Sequence, residues 1–403
     1  MRTTLTLLPG LCLLLAACGA PERAADSNPT SAVRDSAGIR IVTNPDVPLP
    51  AWTVDTVPAL TIGTVEGLDG HDLGNPRASA PLPDGGVAIA DYTTGQVRLY
   101  DRTGRHVRSV GGRGSGPGDF ASVAVIYRAR GDSLVVSDSR RPRLTILDGR
   151  GELGRTMALD DWDGPQPLLR GLMHDSVLVF RAIHSGSAVY ETGSYRDSVE
   201  VFYHALEGGA YRSIGRFPGR RGFLIIDPDG AGGWGPAVPY NRDFQAAVTD
   251  SRVWIGAADG YGFEVYDVAG RLRSIVRLDR PGTPVGPAER DHWHERQRAM
   301  DDREVWQRRF QQAKELVPFP PVMPPYSAVH ADARGRIWVG EYLPPGATEP
   351  QTWRVFDADG QQLATATMPP GVSVHQIGQD HVLGRWTGEF DVAHIGAFRI
   401  RFE

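Results

Sequence analysis

The chain has very little cysteine, a single lysine and no hydrophobic run long enough to cross a membrane as a helix. Both cysteines, Cys12 and Cys18, lie near the N-terminus, and Lys314 is the only lysine. The sequence beyond Cys18 therefore has neither disulfides nor thiol chemistry. The formal net charge of −5 comes from acids and bases mixed along the chain, which argues against a nucleic-acid partner.

The N-terminal segment has the layout of a secretory signal. Arg2 precedes an apolar run from Leu5 to Leu15, which is shorter than the roughly 20 residues that span a bilayer. Leu15-Ala16-Ala17 stands directly before Cys18. This arrangement resembles the bacterial lipobox, whose cysteine is acylated and becomes the first residue of the mature chain. Two or three acyl chains anchor a protein stably without a transmembrane helix.

We therefore expect residues 1–17 to be a lipoprotein signal peptide and the mature protein to be a membrane-anchored lipoprotein outside the cytoplasm. Gly19 after the cysteine, rather than an aspartate, favours the outer membrane where a cell has one. Small and polar residues follow, so we interpret 18–36 as a flexible tether. Residues 37–403 then form the folded domain.

A repeated turn of the form Asp-x-x-Gly indicates the fold of that domain. The aspartate accepts hydrogen bonds from the backbone ahead of it, and the glycine takes the positive φ that ends the turn. The spacing between turns is 47 residues in the first pair and 90, about twice 45, in the second. The four turns are Asp101–Gly104, Asp148–Gly151, Asp267–Gly270 and Asp357–Gly360.

A second alternating or apolar segment lies upstream of each of these turns and of a fifth, degenerate turn at Leu206–Gly209, and a further unit lies at 374–402. Those segments are Val87–Asp91, Leu134–Asp138, Val177–Phe180, Val253–Gly256 and Ile337–Gly340. Short strands in units of about 45 residues are typical of a propeller. We predict an all-β, six-bladed β-propeller. The last unit lacks one strand, which either 38–42 or 52–55 can supply, and this pairing would close the ring.

The first unit carries a more specific resemblance. Asp91, Gln96–Asp101 and Gly104 are followed by a glycine-rich stretch that ends in Gly116-Pro117-Gly118-Asp119-Phe120. This stretch is similar to an NHL repeat and to bacterial extracytoplasmic six-bladed propellers that have the same crossing between blades. The resemblance covers about 37–403, and it implies a propeller fold without implying one activity.

Residues 287–325 differ from the rest of the chain. Trp306, Phe310, Ala313 and Val317 recur at helical spacing, and a proline-rich stretch follows them. We predict a helical, proline-rich insertion between blades four and five. It is either a lid or partner surface, or packing that covers one end of the channel.

Four residues are candidates for the centre of the disc. His330 and His375 each stand seven residues before the start of a second strand, and the same offset gives Tyr127 and Arg170 in two other blades. First strands line the channel of a propeller, so these side chains are candidate ligand-binding residues. Water, a metal or an organic ligand remain open as occupants. Only two histidines align, so no metal site is predicted.

Residues 219–241 form a long stretch between blades three and four. Its candidate binding residues are Arg220, Arg221, Trp234 and Tyr240, because binding residues are often carried on loops of a rigid scaffold. The sequence has no nucleophile elbow, metalloprotease motif or catalytic-triad pattern.

We therefore expect a monomeric binding or interaction module at the cell envelope rather than an enzyme. Its partners would be the membrane, through the lipid anchor, and a protein, peptide or glycan; no cofactor and no nucleic acid are expected. The alternative is a channel-centred hydrolase or lyase, with or without a metal, whose core would be His330 and His375.

The anchor gives a first testable expectation. Cys18→Ala should release the protein from membranes into the soluble fraction, because the lipid would be the attachment. Detergent-phase partitioning of the native and variant proteins measures this, with Cys12→Ala as the matched control. Full partitioning of Cys18→Ala into detergent would contradict the lipoprotein interpretation.

Overall fold

The computed structural model describes residues 31–64, 70–129, 132–159, 162–174, 177–185, 191–227, 232–301 and 303–402. Cys18 and the predicted signal peptide lie outside these residues. None of the helices in the described part of the chain combines the length and the apolar character needed to cross a bilayer.

The described residues form 28 strands and two α-helices. The strands of the first half are β1 (Ala32–Ser36), β2 (Ile39–Pro45), β3 (Ala51–Val54), β4 (Leu60–Ile62), β5 (Pro76–Pro81), β6 (Val87–Asp91), β7 (Gln96–Tyr100), β8 (His106–Gly111), β9 (Val123–Arg128), β10 (Leu134–Asp138), β11 (Arg143–Leu147), β12 (Leu153–Ala158), β13 (Leu168–Met173) and β14 (Val177–His184). The remaining elements are β15 (Gly193–Ala205), β16 (Arg212–Ile226), β17 (Gly233–Trp234), β18 (Gln245–Val248), β19 (Arg252–Gly256), β20 (Gly262–Asp267), β21 (Leu272–Asp279), α1 (Pro287–Ala299), α2 (Glu304–Leu316), β22 (Tyr326–Ala331), β23 (Ile337–Glu341), β24 (Gln351–Phe356), β25 (Gln362–Met368), β26 (Ser373–Ile377), β27 (His381–Thr387) and β28 (Ala393–Arg401).

Antiparallel meanders of consecutive strands make up most of the fold. β5–β8 and β9–β12 each form one four-stranded sheet, and β13–β17 form a five-stranded sheet. The predicted Asp-x-x-Gly turns join the third strand to the fourth: the Gly104 amide donates to the Asp101 carbonyl at 2.9 Å, and φ of Gly104 is 85°. That positive φ is the conformation that favours glycine.

A buried aspartate at the end of a second strand fastens each of the first two sheets to the chain that enters it. Asp138 accepts hydrogen bonds from the Ala121 and Ser122 amides at 2.7 and 3.1 Å. Asp91 accepts the Asn75 amide at 3.0 Å in the same way. A buried carboxylate needs such partners, so these aspartates fix the position of the following first strand.

The N-terminal strands join sheets that are formed by much later parts of the chain. β2 runs parallel to β21, and β1 pairs with β2. Within the tether predicted over 18–36, Ala32–Ser36 is a strand, and residues 18–30 lie outside the described residues. The alternative that 38–42 completes the last unit is wrong, since that segment lies against β21.

The other alternative, 52–55, agrees with the structure in part. β3 pairs with both β28 and β25, and the adjoining β4 also pairs with β28. β3 thereby joins β22–β25 and β26–β28 into one nine-stranded sheet, so the described residues contain five sheets. The prediction of an all-β fold of the propeller type is confirmed at this level.

The first strands of the successive meanders surround a common centre. β5 contacts β9, β9 contacts β13, and the series continues through β18, β22 and β26 back to β5. Apolar clusters fill the space between neighbouring sheets. One of them, for example, combines Leu99 of β7 with Leu134 of β10. The fully buried Trp254, Trp338 and Trp353 belong to such clusters.

Both helices lie between β21 and β22 in the chain, within the predicted insertion. Ala313 of α2, together with Val317, packs on Phe223 and Ile225 of β16. The Trp306 indole donates to the Gln297 carbonyl of α1 at 3.1 Å and links the two helices. α1 has no buried residue, so the pair is attached mainly through α2.

Ring closure through β3 can be tested at Trp52. Its ring lies 4.9 Å from Phe402 and 5.7 Å from Trp338 between centroids, and the Arg336 guanidinium lies 4.8 Å above it. Trp52→Ala should lower the free energy of unfolding by about 2 to 3 kcal/mol. Urea denaturation measures this loss.

Val33→Ala in the outermost strand is the control, because Val33 is 50% exposed. Its cost should stay below about 0.5 kcal/mol. Equal losses for the two variants would show that β3 does not hold the ring closed.

Candidate ligand-binding channel

The first strands enclose a cavity of about 840 Å³. Its walls come from β5, β9, β13, β18, β22 and β26. Turns that join first to second strands also line it, among them Thr249–Ser251, Asp332–Gly335 and Gly378. The cavity therefore opens on the face that carries these turns. The helices connect to the start of β22, which is at the opposite end of the first strands.

All four residues predicted for the channel line this one cavity. Tyr127 lies on β9, Arg170 on β13, His330 on β22 and His375 on β26. Tyr127 pairs with Val135 and His330 with Trp338, the second residue of β10 and of β23 respectively, so they occupy equivalent registers. Arg170 and His375 instead stand at register shifts in β13 and β26 and have no pairing partner in the second strand. All four side chains line the cavity, and ligand binding by them stays a prediction.

His375 is held by a neighbouring strand. Its Nδ1 lies 3.0 Å from the hydroxyl of Ser79, a buried residue of β5. Burial, with a smaller effect of the Arg385 guanidinium, lowers the pKa of His375 to about 4. The imidazole is therefore neutral at pH 7, with one donor and one acceptor nitrogen.

His330 has a similar environment on the next first strand. Burial, then the charge of Arg170 and the proximity of His375, lowers the pKa of His330 to about 3. Its ring centroid lies 5.7 Å from that of Trp353. Two neutral imidazoles thus line adjacent parts of the wall, where each can donate one hydrogen bond and accept another.

Arg170 is the charged group of the inner wall. Its Nη2 donates to the Ala246 carbonyl at 3.1 Å, and its Nε is buried without a partner. Arg181 of β14 lies close by: burial, then the charge of Arg170, lowers the pKa of Arg181. Burial raises the pKa of Tyr127, and both arginines oppose that rise.

The acidic residues that line the cavity lie at its mouth. Asp332 accepts from the Arg336 guanidinium at 2.6 Å and from the Trp338 indole at 2.9 Å, so its charge is already satisfied. Asp250 lies in an exposed turn. Arg128 at the mouth is paired with Asp132 at 2.8 Å. The inner wall is therefore positive and its rim mixed.

Histidines are common metal ligands, so the surroundings of the two channel histidines matter for a metal site. Within the described ranges, no group of three or more histidine, cysteine, aspartate or glutamate side chains is placed so that it can hold a metal ion. His330 and His375 thus stand without a third side chain of these types to complete a set of ligands.

Two of the four candidate face-loop residues pack beneath the helices. Tyr240 is buried, and its hydroxyl donates to the Glu289 carbonyl of α1 at 2.6 Å. Trp234 packs beside Val317, and the Arg309 guanidinium lies 5.3 Å above its ring. The structure uses both aromatic residues to attach the helices, and partner binding by Trp234 and Tyr240 stays a prediction.

The two arginines of that stretch lie in β16, on the surface. Arg221 reaches Asp259 at 3.4 Å, and its amide donates to the Asn241 side chain. Arg220 is exposed. Arg221 also borders a small cavity of about 230 Å³ between β16 and the proline-rich segment. Partner binding by Arg220 and Arg221 stays a prediction.

Sequence reasoning missed three residues of the channel. Ser79 contacts His375, Arg181 stands behind Arg170, and Gln376 donates from its side chain to the Ile126 carbonyl at 2.9 Å. Applying the offset of seven residues to β6 gives Ala80, whereas Ser79 is the residue that reaches the channel histidine. A charged residue within the apolar β14 was the one available signal for Arg181.

No family model and no curated protein sequence matches the chain. Among solved structures, it is similar to a member of the DUF4221 family from Bacteroides vulgatus, with 11% identity, a TM-score of 0.52, and coverage of 87% of this chain and 99% of that one. It also aligns with a gluconolactonase from Xanthomonas campestris at 12% identity and a TM-score of 0.42, covering 87% and 96%. A virginiamycin B lyase from Staphylococcus aureus aligns at 10% identity and a TM-score of 0.39, with coverage of 86% of this chain and 99% of that one. At such low identities these similarities concern the fold alone, and only the DUF4221 structure is similar enough to support it.

The two channel histidines predict how stability depends on pH. The unfolded chain binds protons at both residues near pH 6.5, whereas the folded chain keeps them neutral down to about pH 4. The unfolded state therefore binds more protons, and the free energy of unfolding falls as pH drops through this window. By pH 5 the loss should be about 2 kcal/mol for each histidine.

Urea denaturation at pH 7 and pH 5 measures this loss. The double variant His330→Gln/His375→Gln should lose most of the difference between the two pH values, while other titrating groups contribute equally to both proteins. An unchanged difference in the double variant would mean that these histidines are not buried and neutral.

Proposed function

We propose that the chain is a lipid-anchored, extracytoplasmic six-bladed propeller that acts as a binding module through its central channel. The blade count rests on treating β22–β25 as one blade and β26–β28 with β4 as the last. β3 then joins these two blades. The ring of contacts between six first strands supports this division.

The observation that carries the proposal is the convergence of polar side chains in one cavity. Tyr127, Arg170, His330 and His375 come from four different first strands and line a volume of about 840 Å³. Pockets for small organic ligands usually measure about 300 to 1,000 Å³ and have a few convergent polar groups in their walls. A small molecule, or the end of a peptide or glycan, is therefore the proposed occupant.

The proposed location rests on the sequence. A lipobox-like segment and a polar stretch precede the propeller, so an acylated Cys18 would keep the domain close to the membrane. A channel that opens on one face of the disc can then take up a ligand at the cell envelope. A tethered domain of this kind needs no further element for attachment.

One contact favours the alternative of a hydrolase. Ser79 and His375 are within hydrogen-bond distance, as a nucleophile and its base must be. Against this, Ser79 is fully buried, and the charge near His375 is Arg385, which opposes the imidazolium that a general base forms. A fluorophosphonate probe decides between the two: labelling that Ser79→Ala abolishes would support the hydrolase.

Channel binding can be tested by narrowing the mouth. Ala333 lies exposed in the rim, so Ala333→Trp adds bulk there without touching the inner wall. Affinity-selection mass spectrometry against a pool of polar small molecules should recover ligands with the native domain. Recovery should drop at least tenfold with Ala333→Trp, because access is reduced.

The matched control is Ala288→Trp, an exposed position in α1 away from the cavity. It should recover the same ligands as the native domain. Two results would refute binding through the channel. In one, the native domain retains no ligand from the pool; in the other, Ala333→Trp retains as much ligand as the native domain.

A further inference from the structure

Arg170 is a half-buried arginine of the channel wall that lacks an acidic partner, a condition shared within the described residues by the buried Arg242, which donates to the Val322 carbonyl. Arg98 pairs with Asp72 at 2.8 Å, and Arg354 pairs with Glu341 at 2.7 Å. Arg170, by contrast, forms no ion pair with any described residue, and its Nη2 donates to a backbone carbonyl, that of Ala246. Burying a charge without a counter-charge is costly, so such a site is stabilised when an anion supplies one.

A second arginine adds to this unpaired charge. Arg181 extends from the neighbouring strand β14, and its Nε is also buried without a partner. The nearest acidic influence on it is Asp243, an exposed residue that forms no ion pair with it within the described residues. Two adjacent guanidinium groups repel one another. An anion near both would attract each of them and offset that repulsion.

The orientation of Arg170 leaves room for a ligand. Nη2 is held by the Ala246 carbonyl, which fixes the plane of the guanidinium. Nη1 donates to no described residue and is not among the enclosed, unpartnered atoms, so it faces the cavity. A fixed guanidinium with free N–H groups suits the oxygens of a carboxylate or phosphate.

The other charged groups of the wall neither pair with Arg170 nor take its place. Asp332 is engaged by Arg336, Asp250 stays at the mouth, and Arg77 lies 3.9 Å above the ring of Tyr92. The neutral imidazoles, with Tyr127, can donate hydrogen bonds to further oxygens of an anion or accept them from its hydroxyls.

We infer that the channel binds a small organic anion, whose carboxylate or phosphate oxygens are held by Arg170 while Arg181 supplies a second positive charge. This inference rests on the proposed function and names the chemical class of the ligand. The acid group would sit at the inner wall, and the rest of the molecule would extend toward the mouth.

Isothermal titration of the mature domain with citrate and with inorganic phosphate, at pH 7 and constant ionic strength, tests the inference. We expect binding of one anion per chain, and Arg170→Gln should weaken it at least tenfold. The two probes distinguish a carboxylate preference from a phosphate preference. Arg170→Lys should bind with intermediate affinity, because it keeps the charge but loses the planar fork.

The matched control is Arg102→Gln, which removes an exposed arginine of the Asp101–Gly104 turn, away from the cavity. Its affinity should stay within twofold of the native value. A second readout is the NMR titration of His330, whose pKa should rise when the anion is bound because the added negative charge favours the imidazolium.

Two results would overturn the inference: no binding of either anion by the native domain, or equal affinity of the native domain and a folded Arg170→Gln. If anions do not bind but the native domain still recovers neutral ligands that Ala333→Trp excludes, only the anion is rejected and channel binding stands. If the native domain binds neither anions nor neutral ligands, the proposed function is rejected as well. Circular dichroism of each variant checks its fold, and Arg170→Lys provides the test if Arg170→Gln does not fold.

Discussion

The pairing of β28 with strands from the N-terminus is the constraint on which the channel depends. β3 and β4 both pair with β28, and β3 extends to β25, so the last strands of the chain are held by nearly its first. A first strand can line a fixed channel only if its neighbours on both sides are fixed. Closing the ring in this way removes the free edges that an open array would leave.

The closed ring also explains the electrostatics of its centre. The side chains of the channel wall are partly withdrawn from water, so ionised groups are disfavoured there. His330 and His375 respond by staying neutral, and Ser79 gives His375 a hydrogen-bond partner. An arginine cannot lose its proton at neutral pH, so Arg170 remains a charge that the described residues leave without an acid.

The sequence contained enough information to predict the strands and four residues of the channel wall, because turns and strand alternation are local, but not the register shifts at Arg170 and His375. An aspartate and a glycine three residues apart define a tight turn wherever they occur, and the alternation of the adjoining strand then fixes which side chains face inward. This is why Tyr127, Arg170, His330 and His375 could be placed together. In β5 the offset points to Ala80, which holds the equivalent pairing position, whereas the residue that contacts the channel histidine is its neighbour Ser79.

Long-range pairings and the fate of the irregular segments could not be predicted in this way. The segments 38–42 and 52–55 have the same strand character, and only the complete tertiary structure decides that β2 lies against β21 and β3 against β28. Trp234 and Tyr240 looked like exposed aromatic residues of a loop. Whether such a residue binds a partner or attaches a helix depends on where α1 and α2 lie, which the local sequence does not determine.

The propeller also separates the two helices from the wall of the channel. The helices attach through Tyr240 and Val317, near the start of β22, whereas the cavity opens at the other end of the first strands. A change in the helices would therefore leave the wall in place. Arg170 is fixed by the Ala246 carbonyl on the next first strand, so its geometry is set by the ring itself. A ligand that binds there meets a preorganised guanidinium and does not have to order it, which is the main way that a rigid scaffold increases affinity.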